Sequence, residues 1–145
     1  LGNICRSPLA EGILQDKINQ KGLNWTVDSA GTGGWHAGEG PDPRSVATAF
    51  ERGIDISMQR ARKFRMSDFE TFDHILVMDA SNYTDVIHLT TNAAHRAKVE
   101  LILNDLHPGR NKQVPDPYYG GPAGFDLVYE MLDAACEAFV NKQFS

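Results

Sequence analysis

Leu1-Gly2-Asn3-Ile4-Cys5-Arg6-Ser7-Pro8 opens the chain, and its residue types read as a loop that turns inward and feeds a helix. Gly2 and Asn3 tolerate unusual φ/ψ, so successive backbone N–H groups can converge on one point. Ser7 and Pro8 suit the N-cap and first turn of a helix whose positive dipole end faces that point. Arg6 adds a planar fork of donors able to hold two oxygens of a phosphate. Taken alone, the stretch fits an ordinary loop before a helix equally well.

Outward from it, helix and strand patterns alternate. Leu9, Ile13, Leu14 and Ile18 mark one face of a helix over residues 8–20, closed by Gly22. Trp25-Thr26-Val27-Asp28-Ser29 reads as a short strand, and a Gly-rich loop follows to Pro41. Asp42-Pro43 opens a helix that carries Val46, Ala47 and Phe50 inward and ends near Gly53. Ser67-Asp68-Phe69-Glu70 has the form of a capping box at a short helical turn. His74-Ile75-Leu76-Val77-Met78 is an apolar run of buried-strand type. Ser81 is placed to cap a helix reaching about Leu89, and residues 99–103 read as the last strand. Phe125, Val128, Leu132, Ala135 and Phe139 give a C-terminal helix with one apolar stripe.

This alternation predicts an α/β fold: a small parallel sheet, helices on both of its faces, and a phosphate-binding loop before the first helix. No repeat, linker or low-complexity segment interrupts the pattern, so residues 1–145 are expected to form a single domain. Three strands make a thin sheet, and such a sheet leaves backbone groups unpaired. Something further ahead of Leu1 is therefore expected.

Composition narrows the function. The chain has 145 residues, 41% hydrophobic and 23% charged, ordinary values for a globular domain with a substantial core. A net charge of −5, with no block of Lys and Arg, argues against nucleic acid as a partner. Nothing approaches the apolar run that a transmembrane helix needs, so no membrane association is expected. The two cysteines, Cys5 and Cys136, are far apart and fit a reducing compartment, hence a cytoplasmic location, better than a disulfide scaffold.

The opening stretch also resembles the low-molecular-weight protein tyrosine phosphatases, whose signature is a Cys, five residues, then Arg and Ser or Thr. Asp116-Pro117-Tyr118-Tyr119-Gly120 matches a second element of that family, and Asp28-Ser29-Ala30-Gly31-Thr32 and Met78-Asp79-Ala80-Ser81-Asn82 are similar as well. The resemblance implies a nucleophilic Cys immediately before Leu1, delivered by a preceding apolar strand that lies inside a sheet of four strands in the intact protein. Cys5 cannot take that part, because the position six after it is Glu11 rather than Arg.

The resemblance implies hydrolysis of phosphomonoesters through a phosphocysteine, with no metal and no cofactor. Leu1, Gly2, Asn3, Ile4, Cys5 and Arg6 then cradle the phosphate, and Ser7 donates to the thiolate. Asp116 is the candidate proton donor to the leaving phenolate and then the base for water; the alternative is a simple Asp-Pro turn. Trp35, His36, Tyr118 and Tyr119 form aromatic walls suited to phosphotyrosine proteins or small aryl phosphates. Asn3 and Ser29 look like a polar pair that holds the loop in shape, joined by Gln59 where the family often has His. Cys5, beside the nucleophile, is the candidate redox partner. Inorganic phosphate is the implied product and inhibitor, and a monomer is expected.

Several lookalikes fail. Gly31-Thr32-Gly33-Gly34-Trp35-His36 starts like a dinucleotide fingerprint but has His36 in place of the third glycine. The five histidines lack metal-ligand spacing, and Cys136 reads as a small buried hydrophobe. Arsenate reductases of the same fold need cysteines in mid-chain, which residues 6–135 do not contain. Protein arginine phosphatases resemble the loop with Thr where this chain has Ile4. A non-catalytic phosphate-binding module is the alternative outside enzymology, and it would have no use for Asp116.

Overall fold

A computed structural model describes residues 5–33, 37–115 and 121–144. Helix α1 (Arg6–Gln20) begins two residues earlier than the sequence pattern predicts, with Cys5 at its N-cap and no side-chain capping bond. Ser7 therefore sits in the first turn and is not the cap. Tertiary contact sets the start, since the Cys5 carbonyl accepts from Ser45 Oγ at 3.2 Å. The helix stops as expected: Gly22, at φ 65, donates to the Asn19 carbonyl and Leu23 to that of Ile18, a pairing that needs a left-handed residue after the helix.

Along α1, Leu9, Ile13 and Ile18 are buried. Gly12 lies among them because a Cβ there would meet Ile56 Cγ2 at 2.5 Å. The C-terminal helix α6 (Gly121–Phe144) packs against α1 through the predicted stripe, with Phe125, Val128, Leu132, Ala135 and Phe139 all buried. Each large apolar side chain removed from water there contributes about 1.5–3 kcal/mol before entropy is charged. Cys136 is buried in the same stripe, as predicted.

The sheet pairs β1 (Ile75–Val77) with β2 (Val99–Leu101) in parallel, Ile75 opposite Val99 and Val77 opposite Leu101. Side chains alternate between faces. Ile75, Val77, Val99 and Leu101 pack with Phe69 and Val86, whereas Leu76 joins the α1–α6 core. Phe69 comes from α3 (Asp68–Thr71) and Val86 from α4 (Ala80–Ile87), so both faces are covered by helices, which is why residues 75–78 are apolar throughout. Helix α2 (Pro43–Phe50) packs on α6, and α5 (Ala93–Arg96) leads into β2.

Five expectations are corrected. Residues 25–29 are not a strand: the nearest ladder contact is a single parallel bridge, Gly31 with Lys63, and a strand exists only through its pairing. The last strand ends at Leu101, because Ile102–Asp105 turn into a 3-10 helix. Asp79, not Ser81, caps α4, its carboxylate accepting from the Asn82 N–H. Ser67 has helical φ/ψ, unsuited to a cap, and makes no capping bond, while Glu70 reaches across to His95. Phe50 is 70% exposed and Ala47 is exposed too. Instead α2 presents Ser45, Thr48 and Ala49, held where Arg44 and Arg52 stack on the Phe125 and Tyr129 rings.

Between residues 24–32 and β1 lies a cavity of about 940 Å³, floored by α1 and α6 and roofed by Phe64 and Val86.

Candidate active site

Arg6 is a buried charged group held by two anchors from distant parts of the chain. It stands in the first turn of α1 and is only 6% exposed. Its Nη1 donates to Asp79 Oδ2 at 2.8 Å and to the Val114 carbonyl at 2.7 Å. A guanidinium has five N–H donors, and both of these bonds use one nitrogen. Among the described residues, the Nη2 and Nε edge is uncommitted. A fixed cation in the first turn of a helix, with two parallel donors left, suits a tetrahedral oxyanion.

Each anchor has a structural origin. Asp79 follows β1 directly and caps α4, so the strand end carries its carboxylate to Arg6. Burial works against its ionisation, but the Asn82 N–H and the Arg6 guanidinium outweigh that and hold its carboxyl below the usual range. Val114 is itself fixed, donating its N–H to the Met78 carbonyl at 2.8 Å. The end of β1, the start of α1 and residue 114 thus meet at one point.

Cys5 is buried next to Arg6, and Asp42, the N-cap of α2, lies beside it. The Asp42 carboxyl is held low, chiefly by Arg44, against burial, with a smaller contribution from Cys5. Ser7 and Ser29 both line the large cavity. Ser29 Oγ donates to Glu11 Oε1 at 2.7 Å. Burial pushes the Glu11 carboxyl above its ordinary value, and the Ser29 bond offsets part of that. Gln59 Nε2 donates to the Pro8 carbonyl at 3.1 Å, and its buried Oε1 has no partner among the described residues.

The structure therefore brings together Cys5, Arg6, Ser7 and, one helical turn along α1, Gln59 and the Ser29–Glu11 pair. Leu1, Gly2, Asn3, Ile4, Trp35, His36, Asp116, Tyr118 and Tyr119 lie outside the described residues. Sequence reasoning missed Asp79, Val114, Asp42 and Ser45 as partners of the opening stretch. Asp79 carried a signal, an Asp directly after an apolar run and three residues before Asn82. A backbone carbonyl such as that of Val114 carries none. Cys136 is remote from this chemistry, and burial pushes its thiol up to about 12. No helix among the described residues is long and apolar enough to cross a membrane.

Comparison with known proteins places this geometry. Residues 1–144 match the family model described as low molecular weight phosphotyrosine protein phosphatase. The low molecular weight phosphotyrosine protein phosphatase of Schizosaccharomyces pombe is 44% identical over 135 residues, covering 91% of this chain and 85% of that protein. A crystal structure of a protein tyrosine phosphatase from Entamoeba histolytica, with Hepes in the active site, superposes with a TM-score of 0.92 at 35% identity. It covers 99% of this chain and 92% of that one. The structure of a Drosophila arginine phosphatase superposes equally well, at TM-score 0.92 and 31% identity, covering 100% of this chain and 94% of that one. The fold, the match over nearly the whole length and these identities assign the chain to the low molecular weight phosphotyrosine protein phosphatase family.

Proposed function

We propose that this protein hydrolyses phosphotyrosine in proteins, and other aryl phosphomonoesters, through a phosphocysteine intermediate. The observation that carries the reading is Arg6, pinned by Asp79 and Val114 with its Nη2 and Nε edge uncommitted among the described residues. That edge holds two equatorial oxygens of the phosphoryl group while the backbone N–H groups of Leu1 to Cys5 hold the remainder.

The nucleophile is a Cys directly before Leu1. Loop amides, the α1 dipole, Arg6 and a hydroxyl from Ser7 favour its thiolate over the ordinary thiol. The thiolate attacks phosphorus, the P–O bond to the aryl group breaks, and Asp116 gives its proton to the departing phenolate. Water then attacks the phosphocysteine, Asp116 takes the proton, and inorganic phosphate leaves with the thiolate restored.

Trp35, His36, Tyr118 and Tyr119 form the walls for the flat substrate. Asn3, Ser29 and Gln59 hold the loop. Phosphate competes as product, and the protein works as a cytoplasmic monomer. A phosphoarginine substrate is the second reading, favoured by the likeness to the Drosophila arginine phosphatase. Apolar Ile4 argues for the aryl ester, since a phosphoguanidinium would call for a polar neighbour at the loop.

Turnover of phosphotyrosine and phosphoarginine peptides by the Cys-bearing protein in excess chelator separates the two. Higher kcat/KM on phosphotyrosine, lowered roughly 10²–10⁴-fold by Asp116→Ala, supports the proposal. Preference for phosphoarginine, or an Asp116→Ala variant with undiminished rate, overturns it.

A further inference from the structure

Residues 60–65 gather Arg60, Arg62, Lys63 and Arg65, in a chain whose net charge is −5. Arg62 is spent on Asp28 and Asp68, at 3.0 and 2.9 Å. The other three are exposed, and among the described residues no side-chain hydrogen bond or ion pair engages Lys63 or Arg65. Arg60 is held in place by its own turn. Its Nη1 donates to the Ser57 and Gln59 carbonyls at 2.9 and 2.7 Å, and stands 3.4 Å from where a Cβ on Gly40 would lie. Its Nη2 and Nε edge is uncommitted among the described residues.

Backbone bonds tie this strip to the stretch that contains Trp35 and His36. The Gly31 N–H donates to the Arg62 carbonyl at 2.9 Å, and the Phe64 N–H to the Gly31 carbonyl at 2.8 Å. Further on, the Gly38 N–H donates to the Ala61 carbonyl and the Ala61 N–H to the Glu39 carbonyl, both at 2.7 Å. That stretch therefore begins and ends on residues 61–64. Both of its ends adjoin Arg6 and its neighbours: Thr32 lines the large cavity with Cys5, Arg6 and Ser7, and Asp42, just past Gly40, lies beside Cys5. Nearby acids are already engaged, Asp42 with Arg44 and the other two with Arg62. Glu39, exposed opposite Ala61, offsets at most one of the three charges.

From this placement we infer that Arg60, Lys63 and Arg65 select the protein substrate by receiving acidic residues that flank its phosphotyrosine. This selectivity deepens the reading of the protein as a phosphotyrosine hydrolase and rests on it. Arg60 offers a pre-oriented planar fork to a carboxylate, and Lys63 and Arg65 add charge. Met58 and Met66, 81% and 49% exposed at the two ends of the strip, give the peptide adaptable apolar contact. The net charge of the whole chain repels an acidic peptide, so a preference for one can arise only from local cations. Three free cations fall short of the roughly four to eight that hold a protein on an anionic membrane, which favours a peptide as the occupant.

The test compares three peptides on the Cys-bearing protein: phosphotyrosine flanked by Ala alone, with three Asp before it, and with three Asp after it. At about 20 mM salt, wild type is expected to favour one acidic peptide over the Ala peptide about fivefold in kcat/KM, through KM, and less than about twofold at 0.5 M. Arg60→Ala is expected to lower that ratio about two- to threefold. Lys63→Glu with Arg65→Glu should reverse the order, whereas Lys63→Arg should keep it. Lys21→Glu, at the far end of α1, changes the net charge and should leave the ratio in place. Equal kcat/KM on all three peptides, or an acidic preference that survives the double reversal, overturns the selectivity and leaves hydrolysis standing. Failure to turn over any of the three overturns the hydrolase reading, and the selectivity with it. A flat peptide ratio, beside sedimentation with phosphatidylserine–phosphatidylcholine vesicles that the double reversal abolishes, overturns it in favour of a membrane surface.

Discussion

Replacing Asp79 tests the junction on which the site is built, because this one carboxylate both caps α4 and anchors Arg6. Asp79→Asn keeps a capping oxygen but removes the charge, while Asp79→Ala removes both. The pair is intermediate in burial, with Arg6 6% and Asp79 22% exposed. Its loss therefore falls between the 0–1 kcal/mol or so of a surface pair and the roughly 3–5 kcal/mol of a fully buried one. We expect about 2 kcal/mol for Asp79→Asn, or a fall in Tm of roughly 4–8 °C for a domain of this size. Asp79→Ala adds about 1 kcal/mol for the lost cap. Because the folded state holds the Asp79 carboxyl below its ordinary 3.8, the contribution is present above that value and is lost as pH falls through the folded one. Urea unfolding of the three proteins at pH 7 and again near pH 3 measures both effects. A freed guanidinium also holds the phosphoryl group less well, so kcat/KM on an aryl phosphate should fall about 10–100-fold in Asp79→Asn. Equal stabilities for wild type and Asp79→Asn at pH 7, or a gap that widens in acid, would refute the reasoning.

Gly12→Ala gains about 1 kcal/mol of helix propensity but drives a methyl to 2.5 Å from the buried Ile56 side chain. Net destabilisation is expected in urea, and an increase in Cm would contradict it. Glu11→Gln addresses pH: burial raises the Glu11 carboxyl above 4.5 in the fold, so folding favours its neutral form and stability is lost as pH rises through the folded value. The Tm of Glu11→Gln relative to wild type should therefore rise between pH 4 and pH 7, and a flat difference would count against this. Cys5→Ser tests the redox proposal in the Cys-bearing protein. Wild type should regain its starting rate with dithiol after mild peroxide, and the variant should not regain its own; equal recovery would leave Cys5 with a structural part alone.

What the sequence revealed and what it hid divide on physical lines. The α6 stripe and the α1 face were legible because apolar residues repeating at helical spacing have one way to be buried. The Gly22 stop was legible because it is local. Residues 25–29 read as a strand from composition, yet strand formation is decided by a neighbour that local sequence does not specify. The Ser67 capping box failed for the same reason: Asp68 is drawn to Arg62 at 2.9 Å and to the Arg65 N–H at 2.9 Å, and Glu70 to His95. Arg6 was legible as an anion-binding group from its loop. Its anchors, Asp79 and Val114, lie 73 and 108 residues away and are brought in only by the fold.

The measurement closest to the central claim is direct capture of the phosphoenzyme. Cys-bearing protein is mixed with a ³²P-phosphotyrosine peptide, quenched within milliseconds and digested for mass spectrometry. The account predicts a label of thiophosphate type, on the Cys directly before Leu1, that appears in wild type and is lost in Arg6→Lys, whose point charge cannot reproduce the planar fork. Phosphate on a hydroxyl or imidazole, on Cys5, or on no residue while turnover proceeds would contradict it.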